Sequence, residues 1–308
     1  MVLTTPLFDN LKELSPESEI TVLASKSNFE IASNHKNVDE TLVYSGNPFQ
    51  KLALLYKLKS EKYDLWIDTK NEFSNTSKIL VRFARPGKSL GFNFEEKVFD
   101  ISLNDNPGGE HCTDINLSPM SFLDKEYNIR SKRPSLYIPD ETDGSIVSRL
   151  NPEAERRLLI NISAGKPSRQ WGKKNWSELL TEFTPDDKNF DIVINAVKED
   201  YEMANELVEA HKQRLNIYTL QLTLMETCSV IRHSDYVISP DTAVIHIASA
   251  YNKPLVGLYT NVDWNNKKFA PLTDKYKMLV SDNENSLSSI TAGEVYKAFT
   301  AIKEENEA

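Results

Sequence analysis

The stretch YVISPDTAVIHIASAYNKPLVGLYT, residues 236–260, decides the fold. Residues 236–239 form a short apolar run closed by Pro240, and residues 255–259 a second one opened by Pro254; each has the length of a buried strand. Between them Ala243, Val244, Ile245, Ile247, Ala248 and Ala250 make a segment apolar almost all round, the pattern of a helix buried between layers, with Asp241 or Thr242 as its N-cap. Thr242, His246 and Ser249 stand at i, i+4 and i+7, so one polar stripe runs down that helix from its N-terminal end. A strand, a capped turn, a helix and a strand make a βαβ unit, with parallel strands and a helix that starts at the carboxyl edge of the sheet. The first backbone N–H groups, at Thr242 to Val244, and the positive end of the helix dipole suit that edge to an anion such as a phosphate. Capped helices after parallel strands are nonetheless common to all α/β proteins.

The rest of the second half repeats the alternation. Strands are expected at 158–163, 190–197, 217–220 and 276–280. Helices are marked by Trp176, Leu179, Leu180 and Phe183, by Ala204, Leu207, Val208 and His211, by residues 224–233, and by Val295, Phe299 and Ile302. This predicts a parallel sheet with helices on both faces. The first half opens on a helix, with Thr5-Pro6 at its start and Leu7, Leu11 and Leu14 on one face. Strands at 20–24, 41–44 and 63–68 and helices at 49–58 and 74–84 follow. Residues 99–103 read as a strand, Asn106-Pro107-Gly108-Gly109 as a turn cluster, and 116–123 as a helix. An acidic segment near 139–144 and Asn151-Pro152 place the domain boundary at 145–155, giving domains 1–147 and 148–308. A doubly wound domain ordinarily opens with a central strand, which is missing before the first helix.

With 36 Lys and Arg against 45 Asp and Glu the net charge is −9, which excludes broad nucleic-acid binding but leaves room for a local basic cleft and a phosphorylated small ligand. The two cysteines, Cys112 and Cys228, supply neither a disulfide framework nor metal-ligand spacing, and His35, His111, His211 and His233 add none. There is no long apolar run and no signal-peptide pattern at the start, so a cytoplasmic location is expected, compatible with a peripheral contact on a membrane face. A G-x-G-x-x-G fingerprint, a Walker A loop and an Asp-x-Asp metal clamp are all absent. A phosphate ligand would therefore be held by backbone, hydroxyls and cations, without a cofactor or metal.

The loop after the 158–163 strand, SAGKPSRQWGKKNW at 163–176, lies at another carboxyl edge. Ser163, Gly165, Lys166, Ser168 and Arg169 combine small residues, hydroxyls and two cations, a set able to wrap a diphosphate; the other reading is a solvated basic loop ahead of a helix. His246, one turn inside the buried helix, can bond either a ligand oxygen or the Thr242 carbonyl. Trp171, Trp176 and Trp264 read as core or cleft walls.

Together, SAGKPSRQWGKKNWSELL and YVISPDTAVIHIASAYNKPLVGLY resemble glycosyltransferase family 9, the ADP-heptose:lipopolysaccharide heptosyltransferases, and TTPLFDNLKELSPESEITVLAS, VDETLVY and YDLWID resemble its first domain. The resemblance implies two facing Rossmann-like domains of GT-B type, with the nucleotide-sugar held mainly by the second and the acceptor by the first. The family's D-[ST]-G-x-x-H turn falls on Asp241, Thr242, Ala243 and His246, and its K-x-W loop on Arg169, Gln170 and Trp171; both serve the donor diphosphate. The implied donor site is thus Ser163, Lys166, Ser168, Arg169, Asp241, Thr242, Ala243 and His246. Ala243 replaces a glycine, and Thr260 another. The family's opening strand and Gly-Asp loop, whose aspartate is the expected base, would precede Val2. The catalytic residue is therefore expected upstream of Met1, in a first domain that is either N-terminally truncated or rebuilt. The implied activity is inverting, metal-independent transfer of heptose from ADP-heptose to a lipopolysaccharide core or related glycan acceptor, at or near the inner membrane. The alternative is a catalytically silent nucleotide-sugar-binding protein.

Overall fold

The computed structural model describes all residues except 95, 106, 185–189 and 308, so Asn106 of the expected turn cluster lies outside the described residues. Apart from Val2, the chain forms two compact units that part in sequence between Lys132 and Arg133. The first comprises α1 (Thr5–Leu14), β1 (Thr21–Ser25), α2 (Phe29–Ser33), β2 (Glu40–Tyr44), α3 (Pro48–Ser60), β3 (Leu65–Asp68), α4 (Asn75–Ala84), β4 (Lys88–Gly91), β5 (Ile101–Ser102), α5 (Cys112–Leu117) and α6 (Met120–Leu123). The helix expected over 116–123 is two short ones, α5 and α6, with Pro119 as N-cap of the second.

All strand pairs of this unit are parallel, but they form two sheets, β1-β2 and β3-β4-β5. Side chains alternate across a strand, and their partners place the helices. Val22 and Ala24 of β1 pack with Phe8 of α1, and Ile67 of β3 with Leu7, Leu11 and Leu14 of the same helix. Leu23 of β1 and Trp66 of β3 point the other way, into the Leu54, Leu58, Leu80 and Ala84 cluster of α3 and α4. Helices on both faces thus bridge the interval between β1 and β3, across which no ladder runs among the described residues. The apolar side chains accordingly gather in separate clusters, and β2 and β3 are partly exposed along their whole length.

The second unit comprises α7 (Asp140–Val147), β6 (Arg156–Asn161), α8 (Lys173–Glu182), β7 (Phe190–Asn195), α9 (Tyr201–His211), β8 (Asn216–Thr219), α10 (Leu224–Arg232), β9 (Tyr236–Pro240), α11 (Ala243–Ala250), β10 (Leu255–Tyr259), α12 (Asp263–Lys268), β11 (Tyr276–Val280) and α13 (Ala292–Glu307). The segment 133–147, read from sequence as part of the first domain, belongs here. Asp143 of α7 accepts a hydrogen bond from Ser229 Oγ of α10 (2.7 Å) and lies 3.0 Å from His233 Nε2, which ties α7 to α10.

Its six strands form one parallel sheet in the order β11-β10-β9-β6-β7-β8, and β7, β9 and β10 are buried at every position. Apolar runs on strands covered from both sides are what such a sheet requires. A continuous core joins Leu158, Ile160, Ile192, Ile194 and Leu258 to Trp176, Leu179 and Phe183 of α8 and its C-terminal loop and to Val295, Phe299 and Ile302 of α13. From central β6 the chain steps outward to β7 and β8, then crosses back and steps the other way through β9, β10 and β11. The order reverses between β6 and β9, and a doubly wound sheet opens a crevice at the carboxyl ends of such a strand pair.

Candidate functional site

Two strands pointing at that crevice end in asparagine, Asn161 on β6 and Asn195 on β7, and the two are register partners. Asn195 Nδ2 donates to Asn161 Oδ1 (2.9 Å). Asn161 Nδ2 lies 3.0 Å from the Ser163 carbonyl and from Ser239 Oγ, and 3.3 Å from Thr242 Oγ1. A buried side chain thus ties the loop after β6 to the turn after β9. Buried polar groups hold a unique geometry when they are satisfied in this way.

Thr242, in extended backbone conformation, is the N-cap of α11, and its hydroxyl accepts the Val244 N–H (3.3 Å); the Ile245 N–H reaches the Thr242 carbonyl (3.2 Å). The expected open row of donors at 242–244 is therefore narrower, because the cap side chain already takes one of them. Ala243 is exposed, so the positive end of the α11 dipole meets solvent at that residue.

Arg169 comes to the same place from the other strand. Its loop makes a short 3-10 turn, Pro167–Arg169, and two residues on Trp171 is buried, donating Nε1–H to the Ile290 carbonyl (2.9 Å) and packing edge-on against Trp176. Gly172 follows at φ +86°, a left-handed conformation that glycine adopts without strain, and turns the chain into α8. With the loop pinned at Trp171, Arg169 Nη1 donates to the Asp241 carbonyl (3.0 Å) and lies 3.2 Å from Asp241 Oδ2, while Nη2 donates to Asn265 Oδ1 (3.1 Å). Asn265, buried on α12, closes the ring by donating Nδ2–H to Asp241 Oδ2 (2.8 Å).

Burial pushes the Asp241 carboxyl above its usual range, and the Asn265 hydrogen bond and the charges of Arg169 and Lys166 pull against that shift. The Asp241 side chain is 4% exposed and the Arg169 side chain 22%. The arginine can therefore bond an incoming oxyanion through its remaining N–H groups without leaving Asp241. Lys166 is exposed and close enough to act on Asp241. Arg169, Lys166 and the exposed N-terminus of α11 offer positive charge and N–H donors around the Asp241 carboxylate, a set suited to a diphosphate.

Of the other sequence-derived residues, Ser163 is buried, its hydroxyl donating to Asp200 Oδ2 (2.6 Å) and accepting the Val197 N–H (2.9 Å), so it braces the loop after β7. Ser168 sits half-buried on the 3-10 turn with Arg169. His246 is 9% exposed, its ring 6.0 Å from that of Phe269. Ser249, the third member of the polar stripe, is fully buried; it donates to the Ile245 carbonyl (2.9 Å) and accepts the Leu272 N–H (2.9 Å), so it fixes the loop ahead of β11. Sequence reasoning missed Asn161, Asn195 and Asn265. For the first two there is a signal, an asparagine closing each of the apolar runs RRLLIN and FDIVIN. Among the described residues no group of three or more His, Cys, Asp and Glu is placed to hold a metal ion.

The chain is similar over nearly its whole length to several heptosyltransferases. Lipopolysaccharide heptosyltransferase 3 of Escherichia coli is 22% identical over 329 residues, covering 98% of this chain and 95% of that protein. Among solved structures, a glycosyl transferase family 9 protein from Veillonella parvula superposes with a TM-score of 0.80 at 17% identity, covering 99% of this chain and 93% of that one. E. coli ADP-heptose lps heptosyltransferase II superposes at 0.78 and 20% identity, covering 100% and 96%. These likenesses show the GT-B fold. The sequence profile of glycosyltransferase family 9 (heptosyltransferase) matches residues 51–298, and the chain belongs to that family.

Proposed function

We propose that this glycosyltransferase transfers a heptose from ADP-heptose to a lipopolysaccharide-core or related glycan acceptor, with inversion and without a divalent metal. The observation that carries the reading is the Arg169–Asp241–Asn265 ring beside the exposed start of α11, at the point where the strand order reverses. Its relatives named as lipopolysaccharide heptosyltransferases support the choice of acceptor class, and the ADP-heptose in the name of one structural neighbour supports the donor.

As the bond from the anomeric carbon to the diphosphate breaks, negative charge grows on the departing phosphate oxygen. Arg169, Lys166 and the N–H end of α11 stabilise that charge as it develops, and Asp241 and Asn265 hold the guanidinium so that it need not reorganise. Thr242, buttressed by Asn161, fixes the helix end. Removing one such preorganised donor typically lowers kcat by about 10²–10³. The test is heptose transfer from ADP-heptose to a lipopolysaccharide-core oligosaccharide. Arg169→Ala should lower kcat by about that factor, and excess chelator should leave turnover unchanged. Unchanged turnover in the variant removes Arg169 from the reaction; turnover that collapses with chelator removes the metal-free mechanism.

A further inference from the structure

Helix α3 is apolar on two opposite faces. Leu54 and Leu58 are buried, and Asn47 caps the helix, its side chain accepting the N–H groups of Phe49 (2.9 Å) and Gln50 (3.3 Å). On the far side Phe49, Leu52 and Tyr56, at i, i+3 and i+7, stand 83%, 68% and 76% exposed. The neighbouring helix α4 repeats the arrangement: Leu80 and Ala84 share the buried cluster with α3, while Ile79 and Phe83 at i and i+4 are exposed. Both helices pack together on the strands through their buried residues, and each leaves apolar side chains exposed on its outer side. Five exposed apolar side chains on two packed helices, three of them aromatic and including the most exposed large apolar residues of the chain's described part, mark an interaction site.

The charge around it identifies the partner. Residues 48–88 hold nine Lys and Arg against four Asp and Glu, in a chain whose net charge is −9. Lys59, Lys62, Arg82 and Arg85 are exposed on or beside the two helices. Along the flank of α3 runs a groove of about 560 Å³ with apolar walls that include Phe29, Leu42 and Ala53, and with Lys26 and Lys57 in its lining. Lysine is depleted in contacts between proteins, whereas an apolar helix face bordered by Lys and Arg and bearing Phe, Tyr and Leu is the pattern of a helix lying in the headgroup region of a bilayer.

We propose that the outward faces of α3 and α4 form a docking surface for an anionic lipid bilayer. Phe49, Leu52, Tyr56, Ile79 and Phe83 enter the headgroup boundary, and the flanking cations pair with lipid phosphates. The surface lies wholly in the first unit and does not depend on the donor site, so the two assignments fail independently.

The test is co-sedimentation of the full chain with vesicles of phosphatidylethanolamine containing phosphatidylglycerol, against vesicles of phosphatidylcholine alone. The protein should partition to the anionic vesicles, less so as salt is raised. The triple variant Phe49→Gln, Leu52→Gln, Tyr56→Gln should lower that partitioning by about tenfold or more, and Lys59→Glu with Arg82→Glu should lower it as well. All five side chains are exposed, so melting curves and nucleotide binding should stay as in the unsubstituted protein. Partitioning that the triple variant retains, or that the charge variant leaves unchanged, overturns the proposal. So does a protein that stays in the supernatant, including one that forms a dimer the triple variant dissolves, which would give this surface to a second copy.

Discussion

Arg169 is held by three contacts, two on the turn after β9 and one on α12, and the least conspicuous holder is Asn265. Its amide accepts from the guanidinium and donates to Asp241, so it spaces a buried carboxylate and a cation that would otherwise compete for one geometry. Replacing Asn265 with Leu removes both bonds and leaves Asp241 with a poorer counter-environment. Hydrogen bonds to charged groups contribute about 1.5–3 kcal/mol, so Asn265→Leu should weaken ADP binding by about tenfold in a calorimetric titration. At the other end of the loop, Trp171→Phe deletes the bond to the Ile290 carbonyl and should lower stability by about 1–2 kcal/mol in a denaturant titration. Arg169, Asp241 and Thr242 could be read from sequence because strand, loop and capped helix give a carboxyl-edge position without any knowledge of contacts. Asn265 could not. It lies on a short helix with no apolar period, and its meaning comes from neighbours 24 and 96 positions away in sequence. Ser163 shows the converse: its residue type fitted a phosphate, and the fold directs its hydroxyl to Asp200 instead.

Helix α7 shows how one side chain moves a boundary. Asp143 gathers Ser229, Arg232 and His233 at the end of α10. Burial pulls its carboxyl upward, but the Ser229 and His233 hydrogen bonds and the Arg232 charge outweigh that and hold it below the ordinary 3.8. A carboxyl depressed on folding contributes stability above its unfolded value and loses it as pH falls through the folded one. Asp143→Asn should therefore destabilise the protein at neutral pH by about 1–3 kcal/mol, and the gap to the unsubstituted protein should close as pH drops below 3.8. Periodicity could not assign α7 to either unit, since its only buried residue is Ile146; a single acid–base cluster does so. In the first unit, helices α3 and α4 could be read from their apolar spacing, whereas the division of the strands into two sheets is a property of ladders and not of local pattern. Partly exposed strands open at lower free energy, so backbone amides of β2 and β3 should exchange with deuterium faster than those of β7 and β9.

The two units differ in how their cores are connected. The second has a large apolar cluster on its six-stranded sheet, with Leu159, Val193, Val237 and Leu255 buried outside it, and the described residues of the first gather in several smaller clusters on two sheets. The residues proposed to hold the donor come from the second unit alone, from the loop after β6, the turn after β9 and α12. Ligand stabilises the state that binds it, so ADP should raise the melting temperature of the protein in a calorimetric scan. The fold class, and the carboxyl-edge placement of Arg169, Asp241 and Thr242, could be read from the chain because both depend on alternating strands and helices. The first unit was harder to read, since its division into the sheets β1-β2 and β3-β4-β5 is set by ladder partners that local pattern does not mark. The most direct test of the account is a calorimetric titration of ADP into the unsubstituted protein and into Arg169→Ala. The account predicts saturable one-to-one binding that the substitution weakens by about tenfold or more, since a charge-assisted hydrogen bond to phosphate is lost. Equal affinities in the two proteins would contradict it.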